Sequence, residues 1–356
     1  MLKRPTTLFC LALSLFASAS FAQTLDPWKF ECNYTRFPAK PLGPEFTTYN
    51  VTTNMPRNIR ENFSDQQIMD MVVIDGWKHV NVKGHLTIAL NIGDIIIEEL
   101  KVVERYEDHK DKNGVVTRVF YYKPYASYSF EASAQVKNYR GELVEDSRLC
   151  RRFSRTTWNG TETTISRDAY AFINNNRTTL RDQFTNERVN TVLRDEFSSA
   201  LSFSYGFTPV RVTEQVFLLD SKKHPENDGH QTVVKFVKNV ISNEMRATEP
   251  LDNIKTKFQP IKEYLEGTLK KYTKDDKPDR RMRYAAYFAL SKISYWLDDP
   301  DASIKYAEAL IANDFEPKEG KELIQLADEL KNTFAKNKAS TRHFYIDVNS
   351  FEPPKQ

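Results

Sequence analysis

Glycine is scarce in this chain, at 11 of 356 residues against a usual share of roughly 7%. That shortage argues against Gly-rich phosphate-binding loops and collagen-like repeats. Charge of one sign is missing too. The 51 basic and 48 acidic residues are interspersed and leave a formal net charge of +3, so no electrostatic case exists for nucleic acid or for an anionic membrane surface. Beyond the first 22 positions no run approaches the roughly 18 apolar residues of a membrane helix, and a mature protein without a membrane span is expected. The Gly-x-Ser-x-Gly, His-Glu-x-x-His, Walker and Gly-x-Gly-x-x-Gly patterns are all absent from the sequence beyond that point. Their absence weighs against an enzyme and against a bound cofactor, although triads and carboxylate pairs need no contiguous signature.

What is present begins at the amino terminus. Lys3 and Arg4 precede an apolar run from Leu8 to Ala17, and Ser20-Phe21-Ala22 supplies small residues at −3 and −1. This is the layout of a secretory signal peptide cleaved before Gln23, and it places the mature protein in the periplasm or outside the cell. Export removes the chain from ATP, NAD(P)H and reducing thiols. Cys10 lies within the apolar signal core and lacks the context of a lipoprotein acceptor. Cys32 and Cys150 remain, and an even pair in an oxidising compartment is a disulfide candidate. Closing so long a loop would stabilise by about 4–5 kcal/mol in the loop-entropy model.

The expected fold class is α+β and multidomain, with an N-terminal antiparallel β-sandwich-like domain followed by an α-helical hairpin array. Residues 23–60 are Pro-containing and weakly periodic, an extended lead-in with one strand at Thr47 to Thr53. Residues 61–160 form the β-rich domain. Its strands are expected at His85 to Leu90, Ile95 to Tyr106, Val115 to Tyr122, Tyr125 to Val136 and Glu142 to Leu149. Asn113-Gly114 and Asn138 to Gly141 are the turn signals. In Tyr125 to Val136 the residues Ala126, Tyr128, Phe130, Ala132, Ala134 and Val136 alternate with polar ones, so one face packs and the other is wet. A mixed segment, 161–230, contains a helical run through Phe184, Val192 and Leu201 and a short apolar stretch, Val210 to Leu219. Residues 231–340 read as helical, with Pro260 placed as a first-turn residue. The tail, 341–356, alternates Phe344, Ile346 and Val348 and is expected to pack back as an extended strand.

Between Arg283 and Asn313 the pattern is more specific. Tyr287, Leu290, Ser291 and Tyr295 lie on one helix, Leu297-Asp-Asp-Pro-Asp301 makes a tight turn, and Ala302, Tyr306, Ala309 and Leu310 lie on the next. The segment resembles a tetratricopeptide repeat, with a connecting turn about one residue shorter than the family spacing. About 30 residues carry the motif. The whole chain is similar to uncharacterised secreted tetratricopeptide-containing proteins of the Bacteroidota, a resemblance that brings no catalytic residues. Stacked helix pairs leave a concave surface that grips peptides or domains, which implies a groove near Arg283, Tyr284, Tyr287 and Lys292.

Other clusters have plainer explanations. His224, Glu226, Asp228 and His230 could wrap a divalent cation, but Asp228 and Gly229 also suit the start of a helix. His109 to Gly114 resembles a calcium loop without its closing Glu and reads as a hairpin turn. Asp298-Asp299-Pro300-Asp301 suits helix capping. Tyr121, Tyr125 and Trp77 are candidates for an exposed aromatic patch. Five Asn-x-Ser/Thr triplets start at Asn33, Asn50, Asn62, Asn159 and Asn176 and do not settle the kingdom. The functional expectation is an exported, non-catalytic protein-binding or scaffolding protein with a protein or peptide partner. The alternatives are an exported hydrolase whose catalytic residues meet only in the fold, and a subunit of an envelope assembly.

Overall fold

The computed structural model describes residues 25–150, 154–219 and 221–355. The expected signal peptide, 1–22, and Cys10 within it lie outside the described residues. In chain order the first elements are β1 (Leu25–Arg36), β2 (Thr48–Asn54), α1 (Arg57–Arg60), α2 (Asp65–Met71), β3 (Lys78–His79) and β4 (Leu86–Ile92). Next come β5 (Ile96–Lys110), β6 (Val116–Ser129), β7 (Ala132–Asn138), β8 (Leu143–Cys150) and β9 (Arg155–Asn159). Then follow α3 (Ser166–Asn175), α4 (Arg177–Val189), α5 (Ser198–Tyr205), β10 (Thr208–Leu219) and α6 (Asn227–Asn239). The chain closes with α7 (Asp252–Lys271), α8 (Lys277–Trp296), α9 (Pro300–Ala312) and α10 (Pro317–Asn337). The protein is therefore mixed α and β, with N-terminal sheets and a C-terminal helical region. No helix among the described residues is long and apolar enough to cross a membrane.

Two compact units emerge, and neither is contiguous in sequence. One takes the chain up to Asn33, Arg211–Met245 and Leu251–Asn332; the other takes Tyr34–Val210, Arg246–Pro250 and Thr333–Gln356. They are called the helical unit and the sheet unit below.

In the sheet unit, a five-stranded sheet has the order β3-β2-β4-β7-β8 and a three-stranded sheet the order β5-β6-β9. An all-antiparallel arrangement was the expectation, but β2 runs parallel to both β3 and β4. Parallel neighbours need a crossover connection, and the segment carrying α1 and α2 supplies it. α2 starts on a capping box in which Ser64 Oγ accepts from Gln67 N–H and the Gln67 side chain accepts from Ser64 N–H. The run Tyr125 to Val136 is not one strand. It breaks at Phe130-Glu131, so that β6 pairs with β5 and β9 while β7 pairs with β4 and β8. The apolar set survives the break, but the face expected to be wet does not hold throughout, since Ser127 and Ser129 are buried as well. Ala126, Tyr128, Phe130, Ala132, Ala134 and Val136 are all buried, which lets one apolar face serve two sheets.

Helices α4 and α5 are joined through a π-helical stretch at Asn190–Phe197. They contribute Phe184, Val192, Leu193 and Leu201 to the same core as the strands. The distal part of the β5–β6 hairpin is exposed on both faces. Gly114 closes it at φ +86°, and Asp111 Oδ1 accepts from the N–H groups of Asn113 and Val115.

In the helical unit β1 pairs with β10, a strand that the composition of the lead-in did not announce. From Tyr284 to Trp296 helix α8 is buried on nearly every side, a stretch whose apolar and small residues run all round the helix. Phe30 of β1 meets Trp296 edge-on at 4.9 Å, and Phe217 of β10 meets Phe288 at 5.0 Å. α8 and α9 approach through small residues, with Ser291 Oγ donating to Ser303 O at 2.9 Å in a site closed to solvent. Asp299 caps α9 by accepting from Ala302 N–H at 3.0 Å, with Pro300 at the first helical position. Pro260 is not a first-turn residue; it sits inside α7. It lies on the exposed face, as does Thr256 four residues earlier, so water can satisfy the carbonyl that proline leaves without a helical donor.

Cys32 and Cys150 do not form the expected disulfide. Both are buried thiols, one in each unit's interior. Cys150 Sγ accepts from Arg188 Nη2 at 3.1 Å.

Candidate functional site

The sheet unit carries a cleft of about 670 Å³, within the size range of ligand pockets. Four segments of sequence build it. The Pro-rich lead-in contributes Phe46 together with Pro38, Pro41 and Pro44, and the ring-fixed φ of the prolines stiffens one wall. Its backbone is held by Ala39 N–H donating to Phe203 O at 2.9 Å and Lys40 N–H to Ser204 O at 2.8 Å. The turn before β3 contributes Gly76 and Trp77. Gly76 has φ +76°, and a Cβ there would lie 3.0 Å from Phe207 Cβ and 3.2 Å from Ile346 Cδ1, so the turn and the tail can close only on glycine.

The end of α5 contributes Tyr205 and Phe207. The tail contributes Phe344 to Asp347 and Phe351. The tail is not a strand in a ladder as expected, but it does pack back. Phe344 N–H donates to Ala247 O at 3.0 Å, and Lys78 Nζ donates to Asn349 O at 2.9 Å and Phe351 O at 2.8 Å. Beneath it Phe37 stacks on Phe344 at 5.7 Å and meets Phe207 edge-on at 5.9 Å.

Most polar atoms of these rings are engaged internally. Trp77 Nε1–H donates to Tyr205 O at 2.9 Å, and Tyr205 OH donates to Glu145 at 2.6 Å. Burial and the Glu145 carboxylate hold the Tyr205 phenol well above its ordinary pKa. Burial also raises the Glu145 carboxyl, but bonds from Tyr205, Ser147 and Lys40 outweigh it and its pKa falls. The rings and prolines therefore present carbon surface, beside the polar groups of Thr47, Lys336, Asn337, Lys338 and Asp347. Tyr345 is the exception, 73% exposed at its edge. Cations stand at the mouth. Helix α10 ends in a Schellman motif, with Ala339 N–H bonding Phe334 O and Lys338 at φ +51°. That turn sets Lys336 and Lys338 against the cleft, with Asp347 the lone carboxylate in its lining. No His, Ser or Cys lines it among the described residues. A second, more polar cavity of about 460 Å³ lies between α1, β5 and α4. Several of its groups are bonded to protein partners, including Arg181 to Asp94 at 2.6 Å and Asn62 to Asp182 at 3.3 Å.

The residues singled out in the sequence lie elsewhere, in the helical unit. Tyr284 is buried and donates to Glu319; Lys292 is buried and paired with Glu214. Arg283 donates to Asn313 Oδ1 at 2.7 Å and to the carbonyls of Tyr272 and Lys274. Tyr287 is half-buried. Three of the four are thus spent on internal contacts. Trp77 is buried rather than exposed, while Tyr121 and Tyr125 are half-buried beneath Arg105 and Lys101.

Of the cation candidates, His224 and His230 are buried and Asp228 is exposed. Among the described residues no group of three or more His, Cys, Asp or Glu is disposed to hold a metal. His230 Nδ1 accepts from Leu219 N–H at 3.1 Å, which leaves its proton on Nε2. Glu226 accepts from Tyr264 OH at 3.0 Å and from Lys271.

Burial lowers the His230 pKa from 6.5 to about 4. The unfolded chain therefore takes up a proton near pH 6.5 that the folded one refuses until about pH 4. The helical unit should lose about 3 kcal/mol as pH falls through that window. Urea titrations at pH 7 and pH 4.5 measure the loss, and His230→Gln, which keeps an acceptor but does not titrate, should flatten it. An equal loss in that variant would show that another group is responsible.

The cleft was missed in the sequence because its walls come from positions 38–47, 76–77, 205–207 and 336–351. The one local signal was the proline spacing of the lead-in. No protein-family model matches the chain and no curated protein matches it. Among solved structures the chain is similar to a minor lipoprotein from Acinetobacter baumannii, at 9% identity and a TM-score of 0.20, over 46% of this chain and 98% of that one. A likeness that weak carries no argument about fold or activity.

Proposed function

We propose that this chain is an exported, non-catalytic protein-binding or scaffolding protein of the periplasm or cell envelope, and that the cleft of the sheet unit receives a segment of its partner. The observation carrying this reading is the cleft's lining. Rings and prolines surround it, their polar atoms are mostly satisfied internally, and a single carboxylate is present. Such a surface holds a ligand by burial and stacking. It offers neither the paired acids nor the nucleophile and base that hydrolysis needs, so the hydrolase alternative gains no support from it. The amino-terminal signal pattern supports export. The small residues where α8 meets α9 are compatible with a tetratricopeptide-like hairpin, and we read the pair as scaffold because Tyr284 and Lys292 are buried.

A photo-crosslinking residue in place of Tyr345, in the full precursor expressed in its native host, tests the reading. The expected result is a processed chain in the envelope fraction bearing a protease-sensitive adduct, lost when Phe46 and Phe351 are both changed to Asp. An uncleaved chain in the cytosol, or no protein adduct, would remove the proposal.

A further inference from the structure

The chemistry of the cleft narrows its occupant. We propose that it binds an extended, proline-rich peptide segment carrying a carboxylate beside its apolar stretch. This rests on the reading of the cleft as the binding site. Three observations carry it.

First, the rings and prolines of the lining keep few free donors and acceptors, the buried Oδ1 of Asn337 being an acceptor left without a partner. A saccharide presents hydroxyls along its whole length, and burying them unpaired costs about 1–3 kcal/mol each. A polyproline II segment has no internal hydrogen bonds, lacks N–H groups at its prolines and offers rings and methylenes. It suits a cleft edged by Pro38, Pro41, Pro44 and Tyr345, where aromatic surface and rigid ridges do the recognising.

Second, the charge at the mouth is positive. Lys336 Nζ donates to Ala39 O, while Lys338 is exposed at the end of α10; one carboxylate, Asp347, opposes the two cations, and its oxygen already accepts from Asn349 N–H. A ligand carboxylate would complete this balance.

Third, the chain's own end offers a precedent for such a strand. Phe351 lines the cleft, and Glu352-Pro353-Pro354 follows with both prolines half-buried. An acidic, proline-containing sequence thus directly follows the part of the tail that lines this surface, where Lys78 holds the carbonyls of Asn349 and Phe351.

Calorimetric titration of the mature chain with three probes tests the inference. One is a blocked peptide, Asp-Asp-Pro-Pro-Leu-Pro-Pro-Leu; one is the same peptide with Asn-Asn in place of Asp-Asp; one is cellohexaose. The acidic peptide should bind, and Tyr345→Ala should weaken it by about three- to tenfold, the range of one aromatic contact. Because Tyr345 is mostly exposed, an unchanged thermal melt is expected for that variant and separates binding from folding. Lys338→Glu should weaken the acidic peptide severalfold and leave the Asn-Asn peptide unchanged.

Equal affinity for the two peptides, no binding of either, or Tyr345-dependent binding of cellohexaose would each overturn the ligand class. If the peptides fail while Tyr345 crosslinking still captures a protein, the site reading stands and this inference falls. If both fail, the site reading falls as well.

Discussion

Phe184→Ala should lower the stability of the sheet unit by about 4 kcal/mol, the usual cost of deleting a fully buried phenylalanine. Phe184 is closed to solvent. Its ring stacks on Tyr128 at 4.2 Å with an interplanar angle of 5°, and Trp158 lies tilted against it at 5.8 Å. Truncation thus removes transfer free energy, two aromatic contacts and the packing that holds α4 against β6. Tyr128 is itself buried, and burial raises its phenol to about 12. Urea unfolding of the variant measures the loss, and Phe184→Leu should recover more than half of it. A loss below about 1 kcal/mol in the Ala variant would mean that the neighbouring rings collapse into the void, and this account of the core would be wrong.

The second large effect concerns Lys292, which the tetratricopeptide resemblance pointed to as a groove residue. Its side chain is 8% exposed, it pairs with Glu214, which is 17% exposed, and its ammonium lies 5.4 Å from the Trp296 ring centre. Removing one member of a buried pair leaves an uncompensated charge and costs about 3–5 kcal/mol. Glu214→Ala should therefore destabilise the helical unit by that amount. Replacing both residues, as Glu214→Leu with Lys292→Met, should recover most of it, because an apolar pair of similar volume avoids the desolvation penalty. A double-mutant cycle separates the pair's coupling from the single costs. If Glu214→Ala unfolds no more easily than the wild type while partner recovery drops, the lysine belongs to a binding surface and the structural assignment fails.

Local pattern explains what was legible in these two regions. Ser291 could be placed on a repeat-like helix from its spacing, and the structure closes it against Ser303 of α9. The inward set from Ala126 to Val136 was legible because a period of two is independent of which sheet a strand joins. The break at Phe130-Glu131 was not, since no Gly or Pro marks it and the alternation continues unbroken through the change of partner. Pro260 was misplaced for the converse reason. Proline is a strong local signal, yet here it is tolerated within a helix whose exposed face leaves the freed carbonyl to water.

The candidate site was the least legible part. Trp77 was a candidate for an exposed aromatic patch, yet burial follows from the tail and the end of α5 packing beside it, both far away in sequence. Lys336 and Lys338 are ordinary residues at the end of a polar helix until the Schellman turn sets them at the cleft. Tyr345, in a short tail, acquires a role only because residues 34–47 and 246–247 hold that tail in place.

By itself the sequence determined the class of most elements, the inward apolar set of the strands, the turns at Gly114 and Gly141 and the Asp299 cap. All of these follow from neighbours a few residues apart, through pleat, helical period and backbone conformation. Only the tertiary structure decided that β1 pairs with β10, that β2 lies parallel to β4, that both cysteines are buried free thiols, and that four distant segments enclose an aromatic cleft. Those outcomes depend on long-range burial, whose driving force is non-directional and leaves no local mark of which distant partner is chosen.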